Sequence, residues 1–183
     1  MLLRTIGGWA PAPMLATFAL FASLPFWIKG VGLYPYLGVE VMIWVVYALG
    51  FNLLLGYGGL PSFGHGAFFG VGAYAFGLAQ LHLVPNLWLC LAAAILAGGM
   101  AGALVALFIS HRRGIYYALL TIAFGQIFWF VAIKWHSVTR GEDGLLNIKR
   151  PAFLDSLDAL YWFCFAIFVV VVILLWRLVN APF

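Results

Sequence analysis

Apolar residues run along this chain in long blocks rather than alternating with polar ones, and the blocks fall at about 11–28, 38–55, 62–82, 87–109, 115–134 and 159–179. Each approaches or matches the roughly 20 residues that a helix needs to cross a hydrocarbon core of about 30 Å. The blocks end at turn formers or interface charges: Lys29, Gly30, Gly32 and Pro35, then Gly56 to Pro61, then Pro85 and Asn86, then His111 to Gly114. Such runs are too long and too unalternating for barrel strands, and an open sheet edge cannot be satisfied in lipid. The pattern therefore predicts an all-α fold, a polytopic transmembrane helical bundle of about six spans forming a single integral-membrane domain over residues 1–183. The third run is the exception in texture. Its Gly64, Gly66, Gly70, Gly72 and Gly77 leave room for a broken or re-entrant segment.

Charge sharpens this picture. Charged residues are 8% of the chain, against roughly 25% in soluble domains, and between Lys29 and Arg112 the only formal charge is Glu40. A mean hydropathy of +1.11 agrees. The net charge of +4 would suggest nucleic acid in a polar protein, but here the basic residues sit at the edges of apolar runs as interface anchors. Arg4 before the run from Met14 to Ile28 reads as a retained signal anchor. The arginine pair of His111-Arg112-Arg113 predicts a cytoplasmic loop, with Arg4 and Arg177 inside and residues 135–158 outside; Arg140, Lys149 and Arg150 in that outer segment run against the rule.

Small residues predict close helix contacts. Ala94, Gly98, Gly102 and Ala106 recur every four residues, so leucine at Gly98 or Gly102 is expected to force helices apart, and a change at Ile95 less so. Gly66, Gly70, Ala73 and Gly77 form a second stripe.

Polar groups within apolar runs are costly and hence informative. Ser62 and His65, three residues apart, are placed by helical spacing on one face, able to bond each other or a helix terminus. With Gly64 and Phe68 they make either a wall or hinge of a translocation path or a helix-packing device. Gln126 has the same two readings, a contact for a solute or for a neighbouring helix. Glu40 reads as snorkelling to the interface. In the outer segment Thr139, Gly141, Asp143 and Gly144 belong to a tight turn that either receives a cation or basic partner or simply caps a helix. No catalytic, metal or cofactor site is indicated: Ser62 and His65 lack an orienting acid, Cys90 and Cys164 lack metal-ligand spacing, and the sequence has no P-loop, so ATP-derived energy would come from another subunit.

Three stretches together resemble a known family: Gly56-Tyr57-Gly58-Gly59-Leu60-Pro61-Ser62-Phe63-Gly64-His65-Gly66-Ala67-Phe68-Phe69-Gly70-Val71-Gly72-Ala73-Tyr74, then residues 114–126 from Gly114-Ile115-Tyr116 to Phe124-Gly125-Gln126, then Ser137-Val138-Thr139-Arg140-Gly141-Glu142-Asp143-Gly144-Leu145. Their order and separation are similar to those of the permeases of branched-chain amino-acid ABC importers, the LivM-like branch, over roughly residues 38–183. The resemblance implies a multi-pass protein of the cell inner membrane that works with a second permease subunit, two cytoplasmic ATPase subunits and a periplasmic solute-binding protein, without enzymatic activity of its own. It leaves branched-chain amino acids, other amino acids and urea open as solutes. Leu60-Pro61-Ser62 stands where many relatives have Gln-Leu-Ser, and Asn147 where glycine is frequent. Relatives continue past the position of Ala181-Pro182-Phe183 into an ATPase-docking loop, so the chain is expected to be a fragment, a shortened frame or a piece completed by another polypeptide, inactive alone in ATP-dependent uptake. The alternatives are a passive channel or secondary transporter, a membrane enzyme built on His65, and a non-transporting remnant.

Overall fold

A computed structural model of the chain describes residues 11–181, apart from Lys29, Pro35 and Val84. Arg4, Lys29, Pro35, Pro182 and Phe183, used in the sequence reading, thus lie outside the described residues. The fold is all-helical, and each apolar run holds a helix. These are α1 (Pro11–Trp27), α2 (Tyr36–Asn52), α3 (His65–His82), α4 (Leu87–Ile109), α5 (Ile115–Lys134), the single turn α6 (His136–Thr139) and α7 (Leu157–Asn180). A π-helical turn, Leu53–Tyr57, extends α2, and 3₁₀ turns occupy Gly141–Asp143 and Ala152–Leu154.

Four helical stretches among the described residues are long and apolar enough to cross a membrane: Tyr36–Tyr57, Leu87–Ile109, Ile115–Lys134 and Leu157–Asn180. Six were expected. The difference has a compositional cause, because α1 is apolar but has only 17 residues, while α3 is diluted by four glycines, two histidines and Gln80. The glycines do not break α3, which is one continuous helix, but it starts at His65, three residues after the start of the apolar run.

Local sequence explains the helix ends. Asn86 caps α4 by accepting from the Trp88 amide at 3.0 Å, and Ser156 caps α7 by accepting from Ala159 at 3.2 Å. Asp158 in the first turn of α7 and Arg177 in its last turn complement the helix dipole.

The chain forms two compact units, Met1–Leu49 with Ala152–Phe183, and Gly50–Pro151. In the first, Phe21, Val39, Met42, Tyr161 and Phe168 make a buried cluster from α1, α2 and α7, with the Phe21 and Phe168 rings 5.2 Å apart. Pro25 interrupts the hydrogen-bond ladder of α1. Because proline has no N–H, the carbonyl four residues earlier, that of Phe21, loses its helical partner. The Tyr161 hydroxyl donates to that carbonyl at 2.6 Å, and Tyr161 is itself buried.

In the second unit α3 and α4 pack along each other and α5 packs on both, around a core of Val105, Ile109 and Tyr117 that also takes Phe68, Phe124 and Phe128. The two small-residue stripes are used only in part. A Cβ on Gly72 would meet the Ala94 carbonyl at 3.5 Å, and one on Gly98 the Phe68 carbonyl at 3.7 Å. Gly102, in contrast, faces open space, and Ala106 is exposed. On α3, Gly66 and Ala73 are exposed, Gly70 faces open space, and Gly77 meets the Leu145 and Ile148 side chains rather than a helix. Crossed helices approach closely only near the crossing, so a stripe that runs the length of a helix is not a contact along its length. The expectation that Gly98 and Gly102 are equivalent is corrected on this ground.

Candidate functional site

The start of α3 is docked into α5 through backbone. Thr121 and Gly125, one turn apart on α5, form the receiving groove. The Phe63 amide donates to Thr121 Oγ1 at 3.1 Å, while that hydroxyl donates back to the Ala118 carbonyl at 2.7 Å. Gly64 lies so close that a Cβ there would overlap the Thr121 carbonyl oxygen, and a Cβ on Gly125 would come within 3.3 Å of Gly64 Cα. Thus Gly64 is needed for approach, not for an unusual dihedral, its φ being −94°.

Ser62 and His65 are not paired as helical spacing implied. Ser62 precedes the helix, since Gly64 is the N-cap residue, so the two do not occupy one helical face. The Ser62 side chain is only 2% exposed, and its Oγ has no hydrogen-bond partner among the described residues. His65 packs edge-on between Phe51, at a centroid distance of 6.1 Å, and Phe68, at 6.3 Å. Its Nε2 is 3.3 Å from where a Cβ of Gly50 would stand. Phe68 in turn meets Phe128 at 6.3 Å.

Between α3 and α5 lies a cleft of about 540 Å³. Gly66, Ala67 and Gly70 on one wall face Ile122, Gln126 and Trp129 on the other, and Val138 and Thr139 close one part of it. The small residues of α3 therefore create space instead of a tight helix contact. Gln126 is exposed on α5 and lines both this cleft and a second recess with Ile127, Trp129 and Phe130. The α3 terminus at the cleft has neither a side-chain cap nor an acidic residue in its first turn.

The segment after α5 is a built cap. Thr139 is buried; its Oγ1 lies 2.6 Å from the Ala132 carbonyl and 2.8 Å from that of Trp135, and it accepts from the Gly141 amide at 3.3 Å. A Cβ on Gly141 would collide with His136 Nδ1. Gly144 adopts φ 67° and ψ −176°, a region open in practice to glycine alone. Asp143 and Glu142 point outward as exposed residues, and no group of three or more His, Cys, Asp or Glu able to hold a metal ion occurs among the described residues. Asn147 takes φ 64°, and asparagine is one of the few residues other than glycine that enters this region readily. The loop then returns to α3, where Gln80 donates from Nε2 to the Lys149 carbonyl at 2.5 Å. Thr121, Gly125, Phe51 and Phe128 carry no signal individually in the sequence. A polar and a small residue one turn apart in α5 was the one trace of the groove.

These helices and the cleft between them define a multi-pass helical membrane protein with a glycine-walled apolar recess. Comparison gives the family: residues 35–183 match the family model described as branched-chain amino acid transport system / permease component, and the chain belongs to that family. It is 34% identical over 110 residues to the high-affinity branched-chain amino acid transport system permease protein LivM of Salmonella typhimurium strain LT2, and equally so to that of Escherichia coli strain K12. The match covers 60% of this chain and 26% of each relative, so the aligned part spans about a quarter of their length. No solved structure matches the chain significantly.

Proposed function

We propose that this chain contributes the translocation wall of the permease subunit in an ATP-driven importer of branched-chain or related amino acids. It works in the cell inner membrane beside a second permease subunit, two cytoplasmic ATPases and a periplasmic solute-binding protein, and catalyses no reaction itself. The family match over residues 35–183 carries this reading. The glycine-histidine segment supports it, because the same residues that resemble the family dock α3 onto α5 and open the cleft. Gly64 and Phe68 hold that junction, Ser62 and His65 flank it, and Gln126 faces the path. In the loop, Thr139, Gly141 and Gly144 set the backbone, and Asp143 stays outside.

The test is uptake by cells that carry the intact chromosomal locus, compared with cells from which this coding sequence is deleted in frame. Loss of leucine uptake on deletion, together with its loss on ATP depletion in the intact strain, is expected. Leucine uptake that survives ATP depletion would instead identify a passive channel or secondary transporter. Unchanged leucine uptake with lost urea uptake would reassign the solute.

A further inference from the structure

We propose that the α3–α5 cleft is a subsite for the aliphatic side chain of the transported amino acid, with Gln126 contacting its charged end; this rests on the importer reading above. Size comes first. At about 540 Å³ the cleft lies within the range of roughly 300–1,000 Å³ typical of small-molecule sites. Its walls are apolar, with Ile122, Phe128 and Trp129 opposite glycine and alanine, and such a surface favours a hydrocarbon branch over a polar side chain.

Chemical complementarity argues against a lipid tail as the occupant. Gln126 places an amide, donor and acceptor both, in the cleft and in the neighbouring recess, where a hydrocarbon chain would leave it unpaired at a cost. A zwitterion satisfies it. Phe63, Gly64 and Gly66 bring the N-terminus of α3 to the same cleft, and that terminus, lacking a side-chain cap and first-turn acid, presents a partial positive charge that a carboxylate complements. The Ser62 hydroxyl, buried and unpartnered among the described residues, lies in the segment leading into it.

Gly70 is the position that sets the depth of the pocket. It lines the cleft, and a Cβ there meets nothing within 4 Å, so added carbon enters the cleft without displacing a helix. A Gly70→Val change in the chromosomal gene should lower the ratio of leucine to alanine uptake about ten-fold, the scale on which an apolar pocket senses a few methyl groups. Gly70→Ala should shift the ratio in the same direction by less, which keeps the test readable if valine reduces abundance. Gln126→Ala should lower uptake of both solutes with the ratio preserved, since both share the charged end. Gly102→Val, on α4 and outside the cleft, should leave the ratio unchanged. A constant ratio in both Gly70 variants, whether the two uptakes fall together or persist together, would overturn the subsite and point to a helix or lipid filling the cleft. Failure of the importer reading is seen separately, as leucine uptake that the gene deletion does not alter.

Discussion

Gly64 is the residue whose replacement the geometry judges most severely. Its flanking neighbour Phe63 donates its amide to Thr121, and the glycine itself rests against the Thr121 carbonyl. A methyl group there must push α3 off α5, because the obstacle is helix backbone and cannot rotate away. We expect Gly64→Ala to cost about 3 kcal/mol, the upper part of the range for overpacking, read as a lower midpoint of thermal unfolding in detergent. Thr121→Val should be milder, removing one hydroxyl and leaving the Phe63 amide unmet. A Gly64→Ala midpoint equal to that of the unsubstituted chain would remove the close docking. Asn147 illustrates the opposite situation. Its left-handed φ of 64° is one that asparagine tolerates.

At the scale of elements, α1 is repaired from outside itself. Pro25 leaves the Phe21 carbonyl without an amide, and Tyr161 of α7 supplies a hydroxyl from the other side of the first unit's core. In an apolar environment an unmet carbonyl is costly, which is why proline in such helices is accompanied by a replacement donor. Tyr161→Phe should therefore destabilise by about 1–2 kcal/mol, the cost of a lost buried hydrogen bond. In a Pro25→Ala background, where the restored amide can serve Phe21, the same change should cost markedly less. Detergent unfolding of all four combinations measures the coupling. Equal costs in both backgrounds would show that the tyrosine acts only by packing.

Across the whole molecule, charge predicts the side of the membrane on which each loop lies. The arginines of the α4–α5 loop predict the cytoplasmic side, and α5, with 20 residues, has the length to carry the chain across before the Thr139 cap. With Cys90 and Cys164 replaced by alanine, a cysteine at Arg113 should react with an impermeant maleimide only from the cytoplasmic face, and a cysteine at Glu142 only from the outside. Glu142 is exposed and avoids Gly144, whose backbone conformation excludes other residues. Labelling of both from one side would mean that α5 does not cross. Lys149, one of the cations in residues 135–158 that run against this orientation, has its carbonyl bound by Gln80 of α3, so that part of the loop is folded against the helix.

From the sequence alone came the helical class, the six apolar blocks and the family, because hydropathy over some twenty residues is a property of consecutive positions and a dense motif such as 56–74 is read without knowing its neighbours. The fate of single polar and small residues was not available in the same way. Ser62 and His65 looked like one helical face until the N-cap at Gly64 put only one of them in the helix. The α3 glycines looked like a packing stripe, and tertiary structure made part of that stripe the wall of a cleft. Gly102 and Gly98 carry equal local signals, yet only Gly98 has a neighbour within 4 Å of its Cβ position. The partners that decide these outcomes, Thr121 for Gly64 and Tyr161 for Phe21, stand 57 and 140 residues away in the chain, and contacts at that separation are set by how helices cross, which periodicity along one helix does not encode.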